Sequence, residues 1–280
     1  MVALIIHGGA GNMSGRLAGA KKSALQNIVL ETSSLLKGGA QSLAAVEYAV
    51  KLLEDDPLFN AGRGSYPNME GMVEMDAIIV EGTSLNFGAV AGIRNVGNPV
   101  VVARKVLDQG KCCLLAGEGA TRFAAANGFE FVPDEELASK TDRPTGALGT
   151  VGAVALDSKG GIAAATSTGG TARKPPGRVG DSPLIGCGAI ADSLVGGVSA
   201  TGEGEFLMRI MISRVVLDCL QQGSSPGEAA AHAIDLLGKR VQGKGGVICL
   251  NGSGQTGYAF NTPGMAVAYI NGKGETGVSV

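Results

Sequence analysis

The sequence predicts an α+β fold in which two β-sheets are sandwiched between layers of helices. Three observations carry this. Strand-length apolar runs alternate with pairs of helical segments, in the order strand, helices, strands, helices, linker, strands, helices, strands. The strand runs stay apolar at successive positions, so both faces of each sheet must be covered. The chain has 280 residues, 45% of them hydrophobic, enough for a sizeable core in a single domain.

Val2 to Ile6 is the first strand. It ends in a glycine loop, His7-Gly8-Gly9-Ala10-Gly11-Asn12, whose N–H groups can approach another chain segment or an anion. The loop lacks the spacing of phosphate and dinucleotide loops, and His7 reads as a structural histidine at a strand end. Ala18 to Lys37 is a helix through Leu25, Ile28, Val29 and Leu36, stopped by Gly38-Gly39. Ser42 to Glu54 repeats the pattern and ends before Pro57, because a residue preceding proline avoids helical angles. In the loop from Pro57 to Ser65 the carbonyls need partners: a hard monovalent cation, water or other backbone would each serve.

Met72 to Val80 and Asn86 to Ile93 are strands around a Gly82-Thr83-Ser84 turn. Asp76 in the first lies either on a solvent face or in an internal pair. Asn98 caps a helix to Gln109, with Pro99 at its first position. Cys112 to Ala116 is a short apolar run, and Glu118 to Asn127 is a helix. From Glu130 to Gly149 periodicity is lost, and the stretch reads as an exposed, mobile linker without a core role.

Thr150 to Asp157 and Gly161 to Thr166 are strands joined by Ser158-Lys159-Gly160. A threonine opening an apolar strand after a loose linker points to a cut between Gly149 and Thr150. The cut would place a hydroxyl and an α-amine on one residue, a known way to activate a weak nucleophile. The plainer alternative is a β-branched residue in a strand. A basic loop then leads to Arg178 and Asp181, which either pair with each other or face one ligand, the arginine on a carboxylate and the aspartate on an ammonium. Val195 to Ala200 is a strand ending in Thr201-Gly202 at the start of a long helix to Gln222. A hydroxyl and a backbone N–H there suit an oxyanion hole, unless Thr201 merely caps the helix. Pro226 to Lys239 is another helix. Val247 to Leu250, Gly257 to Asn261 and Met265 to Ile270 are antiparallel strands with Asn-Gly turns after Leu250 and Ile270.

Composition excludes several classes. Net charge is −2 with mixed signs and there is no Trp, so no nucleic-acid or membrane surface is indicated. No apolar run approaches the ~20 residues of a membrane span, and the N-terminus shows no basic leader. Two histidines make a histidine-rich metal site unexpected, and five cysteines at spacings of neither a zinc site nor a disulfide scaffold point to free thiols in a reducing, cytoplasmic setting.

Together, His7-Gly8-Gly9-Ala10-Gly11, Phe59-Asn60-Ala61-Gly62, Gly149 to Val154, Ser167-Thr168-Gly169-Gly170, Gly177 to Pro183 and Thr201-Gly202-Glu203-Gly204-Glu205 resemble the plant-type L-asparaginases, also called isoaspartyl peptidases. These are N-terminal-nucleophile (Ntn) hydrolases. The resemblance covers nearly the whole chain and keeps motif order and spacing. It implies a four-layer αββα sandwich of the Ntn-hydrolase kind and one domain over 1–280. It also implies a precursor that cleaves itself between Gly149 and Thr150 into an α part (1–149, with the linker from about 130) and a β part (150–280). Many relatives carry Asp where Gly149 stands, and some animal members carry Gly.

The same resemblance assigns expected roles. Thr150 is the nucleophile, Thr168 bonds its hydroxyl, and Asn60 lies near its amine. Thr201 and Gly202 form the oxyanion hole. Arg178 and Asp181 hold the substrate carboxylate and ammonium, with Gly204 beside them. Main-chain oxygens of Leu53, Glu54, Asp56, Phe59, Ala61 and Arg63 are the expected ligands of a structural sodium ion, and no organic cofactor is implied. L-asparagine and β-aspartyl dipeptides are the expected substrates, and a homodimer of αβ units the expected assembly. The alternatives are an uncleaved homologue that binds an amino acid, and a glycosylasparaginase, which acts in lysosomes and needs a signal peptide.

Overall fold

Period-two alternation along the strands decides where Thr150, Thr168 and Thr201 point. The computed structural model describes residues 1–12, 16–140 and 149–280. Before Thr150 come β1 (Ala3–Gly11), α1 (Arg16–Lys37), α2 (Ser42–Asp55), β2 (Met75–Glu81), β3 (Asn86–Ile93), α3 (Pro99–Gln109), β4 (Leu114–Ala116), α4 (Gly117–Ala126) and α5 (Asp134–Leu137). After it come β5 (Val151–Leu156), β6 (Ile162–Thr168), β7 (Ala189–Asp192), β8 (Gly196–Gly202), α6 (Gly204–Ile210), α7 (Ile212–Gln221), α8 (Pro226–Val241), β9 (Gly245–Asn251), β10 (Thr256–Phe260), β11 (Gly264–Ile270) and β12 (Thr276–Ser279).

The strands form one large sheet in the order β12-β11-β1-β5-β6-β2-β3-β4 and a smaller one in the order β10-β9-β8-β7. Leu4, Ile6, Val151, Ala153, Ala155, Ala163 and Ala165 bury one face of the large sheet against the apolar stripes of α1, α2 and α3. Ala3, Ile5, Val154, Leu156, Ile162 and Ala164 point the other way and pack on Ala189, Ile248 and Leu250 of the small sheet. Val198, Ala200, Val247 and Cys249 cover that sheet's outer face beneath α7 and α8. Helix, sheet, sheet, helix is the four-layer sandwich expected from the sequence, and it buries both faces of both sheets.

Several expectations change. β1 runs on through the glycine loop: its register shifts between His7 and Ala10, and Ala10 and Gly11 then pair with Met265 and Gly264. Gly9, at φ +100°, supplies the bulge that lets pairing resume. Asn98 does not cap α3 with its side chain but donates to Asp55. The acceptor at that helix start is Glu54 of α2, which takes the Val100 N–H at 3.0 Å. The expected long helix after Thr201 is two helices, broken at Met211 (φ +49°). β7 and β12 were not anticipated.

The linker expected over 130–149 is only partly described, since 141–148 lie outside the described residues. Its first part has a core role after all. Leu137 of α5 is fully buried, and Ser65 exchanges backbone bonds with Leu137 and Ser139 at 3.1 and 2.9 Å. Four residues of helix with one buried leucine leave no periodic signal to read.

Candidate active site

The face assignments converge at one end of the sandwich. Thr150 and Gly152 share a face with Val154 and Leu156, which points at the small sheet. Thr166 and Thr168 share the corresponding face of β6 with Ile162 and Ala164. On β8, Val198 and Ala200 face the helices, so Ser199 and Thr201 face back toward the large sheet. Strand period alone therefore aims Thr150, Thr168 and Thr201 into the space between the sheets, where β5 begins and β6 and β8 end.

The Thr150 Oγ1 donates to Thr168 Oγ1 at 3.2 Å, a long bond for two hydroxyls. Thr168 Oγ1 also accepts the Gly170 N–H at 2.9 Å, which fixes its rotamer. The Thr201 hydroxyl is buried and has no hydrogen-bond partner. A buried hydroxyl without a partner is costly and here faces the inter-sheet space. Thr201 does not cap α6; Glu203 stands at that helix start, and its side chain makes no capping bond.

Gly149, Thr150, Thr168, Arg178, Asp181 and Gly202 line one small cleft. Gly170, Thr171 and Ser182 line it too; the motifs contained Gly170 and Ser182 without a role, and Thr171 fell outside them. Arg178 and Asp181 do not pair with each other. Arg178 donates from Nε and Nη2 to the two oxygens of Glu205, both at 2.9 Å. Asp181 is 3% exposed, and its Oδ2 has no partner. Burial pushes its pKa up to about 7, against a partial opposing pull from its own backbone N–H and Arg178. A buried carboxylate at a cleft wall with an unpartnered oxygen can accept a hydrogen bond from a cationic donor. A Cβ on Gly204 would lie 2.9 Å from both Arg178 Nη2 and Asp181 Oδ1, so the two groups close over a position that only glycine leaves open.

Behind the cleft, Asn60 braces the junction. Its Nδ2 donates to the Gly170 carbonyl at 2.6 Å, and its Oδ1 accepts the Tyr66 N–H at 2.8 Å. A Cβ on Gly149 would lie 2.8 Å from Asn60 Cβ. A side chain at 149 would therefore collide with Asn60, which accounts locally for the glycine before Thr150. Gly9 packs against the same junction, where a Cβ would lie 3.0 Å from Gly149 Cα. His7 is structural: its Nε2 meets Ser199 Oγ at 2.9 Å, and complete burial drops its pKa to about 3, keeping it neutral.

Asn60 belongs to the loop from Leu53 to Arg63. The Glu54 carbonyl accepts the Arg63 N–H at 2.7 Å and the Asp56 carbonyl accepts the Phe59 N–H at 3.1 Å. A Cβ on Gly62 would lie 2.4 Å from the Glu54 oxygen, and one on Gly64 2.2 Å from the Phe59 oxygen. Both glycines thus pass among carbonyl oxygens. The Glu54 side chain turns away to accept from Ser167 Oγ at 2.6 Å, and burial lifts its pKa to about 8. Among the described residues no cluster of His, Cys, Asp or Glu could hold a metal. The donors on offer here are main-chain oxygens, which suit a hard cation of low charge.

Comparison with known proteins adds an independent line. A family model for asparaginase matches residues 1–145 and 136–280. The chain is 43% identical to an isoaspartyl peptidase/L-asparaginase of Xenopus laevis, over 95% of this chain and 91% of the relative. It is 40% identical to the protein of the same name from Rattus norvegicus, over 100% of this chain and 89% of the relative. With the Homo sapiens protein of that name it shares 40% identity over 90% of this chain and 87% of the relative.

Proposed function

We infer the activity from one premise: this chain belongs to the asparaginase family. It hydrolyses the side-chain amide of L-asparagine and the isopeptide bond of β-aspartyl dipeptides, as the names of its relatives say of them. The observation that carries the reading is the Thr150–Thr168 contact in a cleft walled by Arg178 and Asp181.

In this reading Thr150 first attacks the Gly149 carbonyl carbon through Oγ1. The peptide C–N bond breaks, and an ester joins Gly149 to Thr150 Oγ1. Breaking the C–N bond frees the Thr150 amine, and water then opens the ester, which returns the Thr150 hydroxyl and leaves Gly149 as a carboxylate. That amine, with a pKa of ~8, is partly neutral at working pH and takes the Oγ1 proton in each later turnover. The hydroxyl oxygen attacks the substrate carbonyl, and the developing oxyanion takes hydrogen bonds from Thr201 Oγ1 and the Gly202 N–H, each worth roughly 3 kcal/mol. The proton passes to the leaving nitrogen, which departs as ammonia or as the amine of the second residue. Water then hydrolyses the aspartyl ester. Arg178 takes the α-carboxylate and Asp181 the α-ammonium. Asn60 holds the Gly169–Gly170 turn and stands beside the freed amine. Main-chain oxygens of Leu53, Glu54, Asp56, Phe59, Ala61 and Arg63 would hold a sodium ion, which would stiffen the loop carrying Asn60. The active species is a homodimer of αβ units. The five cysteines are free, which fits a cytoplasmic location. Among the described residues, no helix is long and apolar enough to cross a membrane.

Ammonia release from L-asparagine and amino-acid release from a β-aspartyl dipeptide test the activity; a purified, matured protein inert on both sinks it. Two further outcomes are expected. Asp181 must be ionised to meet an ammonium, and its pKa stands at about 7. So kcat/KM, which already declines as the Thr150 amine protonates below ~8, falls more steeply below about 7, and Asp181→Asn removes that second step from the pH profile while the amine's step stays. Gly204→Ala pushes a methyl against Arg178 and Asp181 and raises KM about tenfold or more; steady-state kinetics read it directly, and an unchanged KM would detach Gly204 from the substrate site.

A further inference from the structure

We propose that Lys174, with Asp76 and Glu74, is the positioning group that fixes both walls of the cleft. The proposal rests on the reading of Arg178 and Asp181 as the substrate clamp. Lys174 is 2% exposed, and burial lowers its pKa against the pull of Asp76 and Glu74. An ammonium that far from water is unfavourable unless it is held by opposite charge and hydrogen bonds. Its Nζ donates to the Glu74 carbonyl at 2.6 Å. Asp76 is fully buried as well, and Lys174 is its strongest opposing charge.

What these three residues hold is informative. No helix or strand lies between β6 and β7, yet this stretch supplies Gly170, Arg178 and Asp181 to the cleft. At one end, the lysine stem runs flush against Gly170: a Cβ there would lie 2.8 Å from Nζ and 2.9 Å from Cδ. Gly170 in turn orients Thr168 through its N–H and takes the Asn60 amide on its carbonyl. At the other end, the Glu74 carboxylate accepts the Gly177 N–H at 3.0 Å and 3.1 Å, and Asp76 Oδ2 accepts the Gly180 N–H at 3.4 Å. These two acceptors bracket Arg178 and stop one residue short of Asp181. Asp76 also pairs with Thr168 across the strands. One buried charge cluster thus ties the turn behind the nucleophile's partner to the loop that carries the clamp. Neutralising the lysine removes the largest charge opposing Asp76 and loosens the loop, while the strands that hold Thr150, Thr168 and Thr201 stay in register.

The test separates binding from chemistry. Lys174→Met keeps the stem and removes the charge; KM for L-asparagine is expected to rise about tenfold with kcat within about threefold of wild type. L-aspartate binding, followed by calorimetry, should weaken by a similar factor. The double variant Lys174→Met/Asp76→Asn removes both charges and should bind L-aspartate better than Lys174→Met alone, a non-additive result. An unchanged KM, a loss confined to kcat, or strict additivity overturns the proposal. Should Lys174→Met not accumulate as folded protein, Asp76→Asn alone decides: it weakens the grip on Gly180 and must raise KM, and an unchanged value overturns the proposal equally. The calorimetric arm needs no turnover, so failure of the hydrolase reading in wild type stays distinguishable from failure here.

Discussion

Thr150→Ala abolishes both reactions: the chain stays at its full 28.0 kDa on a denaturing gel, and ammonia release falls by up to about a millionfold. Both losses have one cause. The hydroxyl of Thr150 is the attacking atom in self-cleavage and in hydrolysis, and no other described hydroxyl can replace it. Thr168 Oγ1 is the nearest, but it is held by the Gly170 N–H and is reserved for orienting the Thr150 hydroxyl at 3.2 Å. Thr150→Ser keeps the oxygen and should retain both activities at reduced rate, because the lost methyl loosens the rotamer that aims it. A Thr150→Ala protein that still splits, or still releases ammonia at the wild-type rate, removes Thr150 from the chemistry.

Arg178→Ala separates substrate binding from maturation. Removing a charge-assisted, two-pronged contact to a carboxylate costs about 1.5–3 kcal/mol, so KM for L-asparagine should rise between about tenfold and a hundredfold. Glu205 adds to the loss. In the intact protein its carboxylate is neutralised by Arg178 and its pKa is lowered by that bond. Without the arginine a free carboxylate is left near the substrate's own. Self-cleavage uses no α-carboxylate and should proceed at the wild-type rate. The checks are KM from initial rates and a cleavage time course on the same preparation; an unchanged KM takes Arg178 out of the substrate site.

The strands were legible in the sequence as continuous apolar runs, but runs that are apolar on both faces carry no alternation, so the face each residue takes came only from the packing. Thr150, Thr168 and Thr201 each sit at the end of an apolar run, and alternation then turns all three inward. The family motifs supplied the clamp. What stayed hidden was non-local. Spacing made Asp181 the natural partner of Arg178, whereas the pair that forms joins Arg178 to Glu205, 27 residues away. Asp76 could be read as exposed or paired, and only tertiary packing buries it with Lys174 as its largest opposing charge. Glu54 gave no hint of acting as the acceptor for another helix, since that bond spans 46 residues. Local features were missed where they were short: β7 and β12 are four residues each, and α5 buries a single leucine. The extra length of β1 was masked by its glycines, which read as a loop but form a bulge in a continuing strand.

The central claim is that the Gly149–Thr150 bond is the one that breaks and that Thr150 becomes an N-terminus. Intact-mass spectrometry of the wild-type protein, sampled as it matures, tests this most directly. The expected result is the disappearance of the 28.0 kDa species and the appearance of two chains whose masses place the cut between Gly149 and Thr150, with ammonia release rising in step. A chain that stays whole while it hydrolyses asparagine, or one that splits at a different bond, contradicts it.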